Sequence, residues 1–178
     1  VFILPDGRRS FIHEIGANAL LGKENFEALA AYYAGQESPI LHIGYEALSS
    51  DAYFKNLGDN LQELKKKVPD LRVVLDTVHD FTKMWNRMPE SGNKILAEVD
   101  ILSTSLTEGE SISGQTEPRA IARDLLSRMG KGTVLVKADA VGSYLTSNFW
   151  LVKGKEESIE FLHLPALPSA LVRQYAAT

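Results

Sequence analysis

The chain has 178 residues, 44% of them hydrophobic and 24% charged, a composition that fits one folded domain and excludes disordered or collagen-like material. The formal net charge of −4 offers no polycationic surface for a nucleic acid backbone, and the absence of cysteine excludes disulfides, cysteine-ligated zinc and thiol catalysis. No apolar run approaches the roughly 20 residues of a membrane helix and no signal peptide is recognisable, so we expect a cytoplasmic protein without a nucleic acid or membrane partner.

A β-hairpin is predicted at the start of the chain. Apolar residues 1–4 precede the pair Asp6-Gly7, which can supply the positive φ angles of a tight hairpin turn, and a second apolar run occupies residues 11–15. Such a short two-stranded ribbon is marginal alone. We therefore expect residues 1–15 to need a partner surface against which to pack.

Helices and strands then alternate along the chain. Apolar residues recur at helical spacing in several segments, and short β-branched or apolar runs lie between them. This order predicts a mostly parallel sheet with helices on its faces, in a single α/β domain over residues 1–178. The apolar residues of the predicted strand 40–44 indicate a buried strand. The predicted helices are 26–33, 51–68, 95–98 and 118–129, the predicted strands are 40–44, 71–75, 99–104 and 133–136, and a closing antiparallel pair joins 144–146 to 159–162.

Ligands bind such sheets outside the carboxyl ends of the strands. Polar residues follow four predicted strands there, in segments 45–46, 76–80, 105–108 and 137–142. No phosphate-binding loop, dinucleotide fingerprint, nucleophile elbow or HExxH motif occurs. His79 lies between Asp76 and Asp80, where acid–base or metal chemistry and a simple polar turn are equally good interpretations.

Ser105 and Glu108 have two interpretations. Hydroxyls and carboxylates after a strand suit a hydrated Mg²⁺ ion. The same spacing is that of a capping box, in which Ser105 caps a helix and Glu108 returns a hydrogen bond, and the spacing alone favours this second interpretation.

The order of these segments resembles that of the ribokinase-like (PfkB) carbohydrate kinases, over about residues 7–167. Residues 6–9 and 16–18 are similar to the lid strand and sugar-facing segment of that family, and residues 40–48 to its next strand. Residues 76–85 resemble its strand ending in Asp with a downstream Trp. Residues 100–114 resemble its N-x-x-E segment, and residues 134–145 its strand and turn beside the nucleotide.

This resemblance implies a three-layer α/β/α sandwich with a mostly parallel sheet and a small β lid, and an enzyme that transfers the γ-phosphoryl group of ATP to a hydroxyl of a sugar or sugar acid. The implied cofactors are ATP and Mg²⁺, and a homodimer through the lid is possible in such a family. The implied site residues are Asn18, Tyr45 and Glu46 for the sugar, Ser105 and Glu108 for the water shell of Mg²⁺, and Lys137 and Gly142 for the nucleotide.

The sequence also departs from the family pattern. Ser105 stands where the family has Asn, Lys137 where it has Thr, and Asp139 where it has Gly. The G-A-G-D segment that supplies the catalytic base is absent after Val172, so no catalytic base is assigned and we expect the chain to be an incomplete part of a kinase. The alternatives are a non-catalytic kinase-like protein that binds a metabolite or a partner, and an unrelated α/β binding module.

Overall fold

The computed structural model has a main sheet of six strands, with six α-helices placed before and between its first four strands. It describes the backbone of residues 2–3, 9–10, 14–152 and 155–166, and the side chains of residues 14–149 and 159–166. The main-sheet strands are β3 Ile40–Gly44, β4 Arg72–Asp76, β5 Ile101–Ser105, β6 Thr133–Lys137, β7 Gly142–Val152 and β8 Lys155–Pro165, and the α-helices are α1 Lys23–Tyr33, α2 Asp51–Lys67, α3 Met84–Arg87, α4 Pro89–Ala97, α5 Leu106–Ser113 and α6 Pro118–Met129.

The main sheet has the order β3-β4-β5-β6-β7-β8. Strands β3 to β6 are parallel, each joined to the next through helices, whereas β7 and β8 are added antiparallel. The prediction of an α/β fold with a mostly parallel sheet is therefore confirmed. The closing pair is confirmed as well, although each strand has 11 residues and is much longer than the sequence indicated.

The hairpin at the start of the chain forms a separate two-stranded sheet. Strands β1 Phe2–Ile3 and β2 Arg9–Ser10 pair antiparallel, with Ile3 opposite Arg9. The described part of the second strand, Arg9–Ser10, precedes the predicted residues 11–15. Residues 11–13 lie outside the described residues, and Glu14 and Ile15 are not in a strand.

Local signals account for the helix ends. Ser50 caps α2 by accepting a hydrogen bond from the Tyr53 amide at 3.1 Å. Pro89 and Pro118 occupy the first turns of α4 and α6, where a missing N–H costs nothing. Helix α4 is longer than the predicted residues 95–98 because it starts at this proline.

One hydrophobic cluster joins the sheet to all six described helices. Side chains of Val73, Leu75, Leu102 and Val136 project from one face of the sheet and are buried with helical residues such as Leu61. On the opposite face the side chains of Val74, Leu135 and Leu145 are only half-buried. The described part of the chain thus contains the sheet and one of the two helical layers that the resemblance implies.

Strand β3 forms the edge of this sheet. The sequence suggested a buried strand, but Ile40 is 62% exposed and only Ile43 of the strand is buried, because no strand in the described residues pairs with its outer side. Among the described helices, none combines the length and the apolar composition needed to cross a membrane.

Candidate functional site at the carboxyl ends of the strands

The four polar segments singled out in the sequence follow β3, β4, β5 and β6. Because these strands are parallel and adjacent, their carboxyl ends lie along one edge of the sheet. The structure therefore brings together most of the predicted site residues, although they come from segments as far apart as residues 45 and 142.

Glu108 lies at the centre of a hydrogen-bond network across two strand ends. Its Oε2 atom accepts one hydrogen bond from the Thr77 hydroxyl and one from the Ser105 amide, both at 2.9 Å. The Thr77 hydroxyl also lies 2.9 Å from that of the buried Thr104. The network fixes the Glu108 carboxylate at the junction of β4, β5 and α5.

The capping box predicted from the sequence is present. The Ser105 hydroxyl accepts a hydrogen bond from the Glu108 amide at 3.3 Å, while Glu108 accepts from the Ser105 amide in return. The Thr77 hydroxyl and the Ser105 amide both donate to the Oε2 atom of Glu108. Among the described residues no donor reaches Oε1. Helix capping therefore leaves one carboxylate oxygen available for another role.

Lys137 and Asp76 form an ion pair at the ends of β6 and β4. The Lys137 Nζ atom lies 2.7 Å from Asp76 Oδ1, and both side chains are part-exposed. Burial raises the pKa of Asp76, but hydrogen bonds from Lys137 and Ser103 and the charge of Lys137 outweigh it and hold the pKa below its ordinary value. Asp76 therefore remains charged and keeps Lys137 positioned at the strand ends.

Glu46 is buried although it follows an edge strand. Its side chain is 1% exposed, its Oε1 accepts a hydrogen bond from the Trp85 indole at 2.9 Å, and its Oε2 has no partner among the described residues. Burial raises the pKa of Glu46 from 4.5 to about 8, against the smaller opposing effects of a backbone hydrogen bond and the Trp85 hydrogen bond, and the charges of Glu108 and Asp80 add to the rise. Glu46 is thus a neutral carboxylic acid beneath the site at neutral pH.

The other two predicted sugar contacts are exposed. Tyr45 is 55% exposed and adopts a φ of +64°, and its amide donates to the Asp76 carbonyl at 3.0 Å, which fixes it over the end of β4. Asn18 lies in the 3₁₀ turn Gly16–Leu20 and makes no contact with the strand-end residues within the described part of the chain.

The loop after β4 is held by Asp80. Its carboxylate accepts hydrogen bonds from the Trp85 amide at 2.9 Å and the Thr82 hydroxyl at 3.2 Å. His79 is exposed and packs edge-on against Phe81, with ring centroids 4.5 Å apart. These contacts favour the polar-turn interpretation of His79 and Asp80.

Gly142 has a structural reason to be glycine. Its φ is +111°, and a Cβ atom there would lie 2.1 Å from the Leu164 carbonyl oxygen. Its own carbonyl accepts a hydrogen bond from the Ala138 amide at 2.7 Å. Gly142 thereby lets β7 and β8 approach closely beside the turn that contains Asp139, a non-glycine residue with a φ of +45°.

No group of three or more metal-ligating side chains that could hold a metal ion occurs among the described residues. The Ser105 hydroxyl and the Glu108 carboxylate are oxygen donors, the type that Mg²⁺ binds directly or through the waters it commonly keeps.

Thr77 is a site residue that the sequence analysis did not single out. It is buried and donates to Glu108, which lies 31 residues later. Its position directly after a strand that ends in Asp was the only available signal, and it becomes informative once β4 and β5 are known to be neighbours.

Sequence comparisons add nothing to this site, since no protein-family model matches the chain and no curated protein matches it.

Solved structures with the same fold are found. A putative Ribokinase II from E. coli matches 92% of this chain with a TM-score of 0.63 and 19% identity. Ribokinase from Giardia lamblia matches 88% with a TM-score of 0.62 and 17% identity. Ribokinase from Arabidopsis thaliana, solved with ribose and ATP, matches 93% with a TM-score of 0.53 and 22% identity. The chain therefore has the ribokinase-like fold of the PfkB carbohydrate kinases.

The chain covers only part of each of these structures. It spans 48% of the E. coli protein, 45% of the Giardia protein and 47% of the Arabidopsis protein. The activity, substrates and partners of a whole kinase are therefore proposals for this chain.

Proposed function

We propose that this chain supplies the strand-end part of an ATP-dependent carbohydrate kinase, which transfers the γ-phosphoryl group to a hydroxyl of a sugar or sugar acid. The observation that carries the proposal is the convergence of Glu108, Ser105 and Lys137 at the carboxyl edge of a ribokinase-like sheet. Phosphoryl transfer requires mainly positioning and charge stabilisation, and an edge with a fixed carboxylate and a cation suits both.

Ser105 and Glu108 are our candidates for the water shell of Mg²⁺. The support is the Oε1 atom of Glu108, which is left over when Oε2 is engaged by Thr77 and the Ser105 amide. A carboxylate fixed in this way would orient metal-bound waters without losing side-chain freedom on binding. When bound, the ion would neutralise charge that develops on the transferred phosphoryl group.

Lys137 and the turn at Gly142 are our candidates for the nucleotide. Lys137 is part-exposed and held at 2.7 Å by Asp76, so a phosphate oxygen would compete with Asp76 for the ammonium group. The Gly142 turn supplies backbone at the end of the same strand, although its positive φ is already explained by its contact with β8. Asp139 beside this turn would repel phosphate unless its carboxylate faces away.

The sugar would contact Tyr45 and Asn18, whereas Glu46, which the sequence also suggested as a sugar contact, is buried beneath this surface. Tyr45 presents an exposed ring beside Asp76, which suits packing against the apolar face of a sugar. Glu46 is buried and neutral, so we infer that it supports this surface through Trp85. A lid formed by residues 1–15, shared with a second subunit, would cover the sugar.

A non-catalytic, metabolite-binding protein of the same fold is the second candidate. The observation that favours it is the Asp76–Lys137 pair, which occupies the cation with a protein carboxylate. Such a protein would bind nucleotide or sugar at the strand ends but transfer no phosphoryl group.

Glu108→Gln tests the catalytic proposal, with Glu117→Gln as a matched control. Both substitutions change a glutamate whose carboxylate caps a helix N-terminus, α5 for Glu108 and α6 for Glu117, but Glu117 takes no part in the strand-end network. In the complete kinase of which this chain is expected to be a part, we expect Glu108→Gln to lower ATP-dependent turnover at least tenfold and to raise the Mg²⁺ concentration required. Both variants should lose a similar free energy of unfolding, about 1 kcal/mol.

The opposite pattern would contradict the proposed role. If Glu108→Gln keeps normal turnover and normal Mg²⁺ dependence while losing stability, Glu108 only caps α5. If the protein binds ATP with Mg²⁺ but phosphorylates no sugar in either form, the non-catalytic candidate holds.

A further inference from the structure

Thr77 is the first residue after β4, and its side chain is buried at the strand ends. Its hydroxyl carries one proton and lies 2.9 Å from two acceptors, the Thr104 hydroxyl and the Oε2 atom of Glu108. A carboxylate oxygen is the stronger acceptor of the two. The Thr104 hydroxyl has an acceptor of its own, the Ser105 carbonyl at 3.2 Å. The single proton of Thr77 is therefore directed at Glu108.

This contact decides which oxygen of Glu108 is left without a donor. The last torsion of a glutamate side chain is broad, so either oxygen could serve the Ser105 amide if that amide were alone. The Thr77 hydroxyl and the Ser105 amide come from the ends of two strands, β4 and β5, and both reach Oε2 at 2.9 Å. Two donors on one oxygen hold the carboxylate in one orientation, with Oε1 as the oxygen that no described donor reaches.

The helix cap does not require Thr77. The capping box consists of the exchange between Ser105 and Glu108, in which each backbone amide donates to the side chain of the other residue. That exchange is complete without a donor from β4. The hydrogen bond from Thr77 is therefore added to the cap, and its effect is on the orientation of the carboxylate.

Thr77 is itself held firmly beside the proposed site. Its backbone amide donates to the Ser103 carbonyl at 3.0 Å, which continues the pairing of β4 with β5. The preceding residue, Asp76, lies 2.7 Å from the Lys137 ammonium group. Two consecutive residues at the end of β4 thus hold the two charged groups of the proposed site, Lys137 through Asp76 and Glu108 through Thr77.

We propose that Thr77 is a positioning residue that sets the affinity of the site for Mg²⁺ by fixing the Glu108 carboxylate. Removing a group that orients a metal-binding side chain commonly weakens metal binding about 10–100-fold. This role rests on the proposed function of Glu108 in the water shell of Mg²⁺. It adds a residue 31 positions earlier in the chain that determines how tightly the ion is held.

Two substitutions separate the hydroxyl of Thr77 from its shape. Thr77→Val keeps the β-branched shape and removes the hydroxyl, whereas Thr77→Ser keeps the hydroxyl. Both are made in the complete kinase of which this chain is expected to be a part. Binding is measured by isothermal titration of MgCl₂ into protein saturated with a non-hydrolysable ATP analogue, with the titration of the analogue alone subtracted. We expect Thr77→Val to bind Mg²⁺ about tenfold more weakly and Thr77→Ser to bind it as wild type does.

Thr146→Val is the matched control. Thr146 is as buried as Thr77, but its hydroxyl donates to the Glu160 carbonyl at 2.6 Å, between β7 and β8. This variant also loses one buried hydroxyl, and we expect its affinity for Mg²⁺ to equal that of wild type. If Thr77→Val does not fold, Thr77→Ala replaces it, because alanine also removes the hydroxyl and is too small to clash.

The role of Thr77 is overturned if the variant without the hydroxyl binds Mg²⁺ as tightly as wild type, or if Thr77→Ser or Thr146→Val loses as much affinity as that variant. It is also overturned if wild type binds no Mg²⁺ beyond the analogue alone. The proposed function fails separately. A protein that binds Mg²⁺ with the analogue but transfers no phosphoryl group from ATP would contradict the kinase, while a tenfold loss in Thr77→Val would still support the role of Thr77.

Discussion

Glu46→Gln should stabilise the protein at neutral pH. Glu46 is buried, its Oε2 has no partner among the described residues, and burial raises its pKa from 4.5 to about 8. In the unfolded chain the carboxyl ionises near its ordinary value, whereas in the folded chain it keeps its proton. Glutamine has nearly the same shape, is neutral at every pH and can still accept the Trp85 hydrogen bond.

The magnitude follows from the difference between the two pKa values. A raised folded-state pKa contributes stability that is fully present below the unfolded value of 4.5 and is lost as pH rises through about 8. Each pH unit in this window costs about 1.4 kcal/mol, so the wild-type protein loses about 3 kcal/mol by pH 7 and about 5 kcal/mol above pH 8. Glu46→Gln removes this loss.

Urea denaturation of both proteins at pH 5, 6, 7 and 8 measures the effect. The free energy of unfolding of Glu46→Gln relative to wild type should rise steadily across the series. Glu37→Gln, at an exposed position, is the control and should show a small difference that does not change with pH. A constant difference between Glu46→Gln and wild type from pH 5 to 8 would refute the assignment of a neutral, buried Glu46.

Two further substitutions test contacts around the site. Gly142→Ala should lower the free energy of unfolding, measured by urea denaturation, by at least about 2 kcal/mol more than Gly35→Ala does. Both glycines have positive φ, but only at Gly142 would a Cβ atom clash with the Leu164 carbonyl. Equal losses would contradict the close approach of β7 and β8. Asp76→Asn should lower the free energy of unfolding by less than about 1 kcal/mol at pH 7, since the pair with Lys137 is part-exposed. This difference from wild type should disappear as pH falls through the lowered pKa of Asp76. A difference that grows in acid would exclude the pair.

Sequence patterns over a few residues predicted several strand ends, a helix cap and a helix end. The strands that end at Asp76 and Ser105, the capping box of Glu108 and the helix that ends before Gly130 all follow from spacing and turn chemistry over a few residues. The same reasoning located the candidate site, because the carboxyl ends of parallel strands share one edge.

Contacts between distant residues were not predictable from such patterns. Trp85 follows Glu46 by 39 residues and Lys137 follows Asp76 by 61, so neither the burial of Glu46 nor the pairing of Lys137 has a local signal. The apolar residues of β3 suggested a buried strand. The strand is partly exposed because it lies at the edge of the sheet, which its own sequence does not indicate.

Phosphoryl transfer itself is the most direct test of the proposed function. Labelled γ-phosphate of ATP should be followed onto a panel of sugars and sugar acids, with and without Mg²⁺. The protein assayed is the complete kinase of which this chain is expected to be a part, as wild type and as Glu108→Gln, because no catalytic base is assigned within these residues. The account predicts Mg²⁺-dependent label on a hydroxyl of at least one carbohydrate and at least tenfold less label with Glu108→Gln. Binding of ATP with no label on any carbohydrate would contradict it and identify a binding protein with a kinase fold.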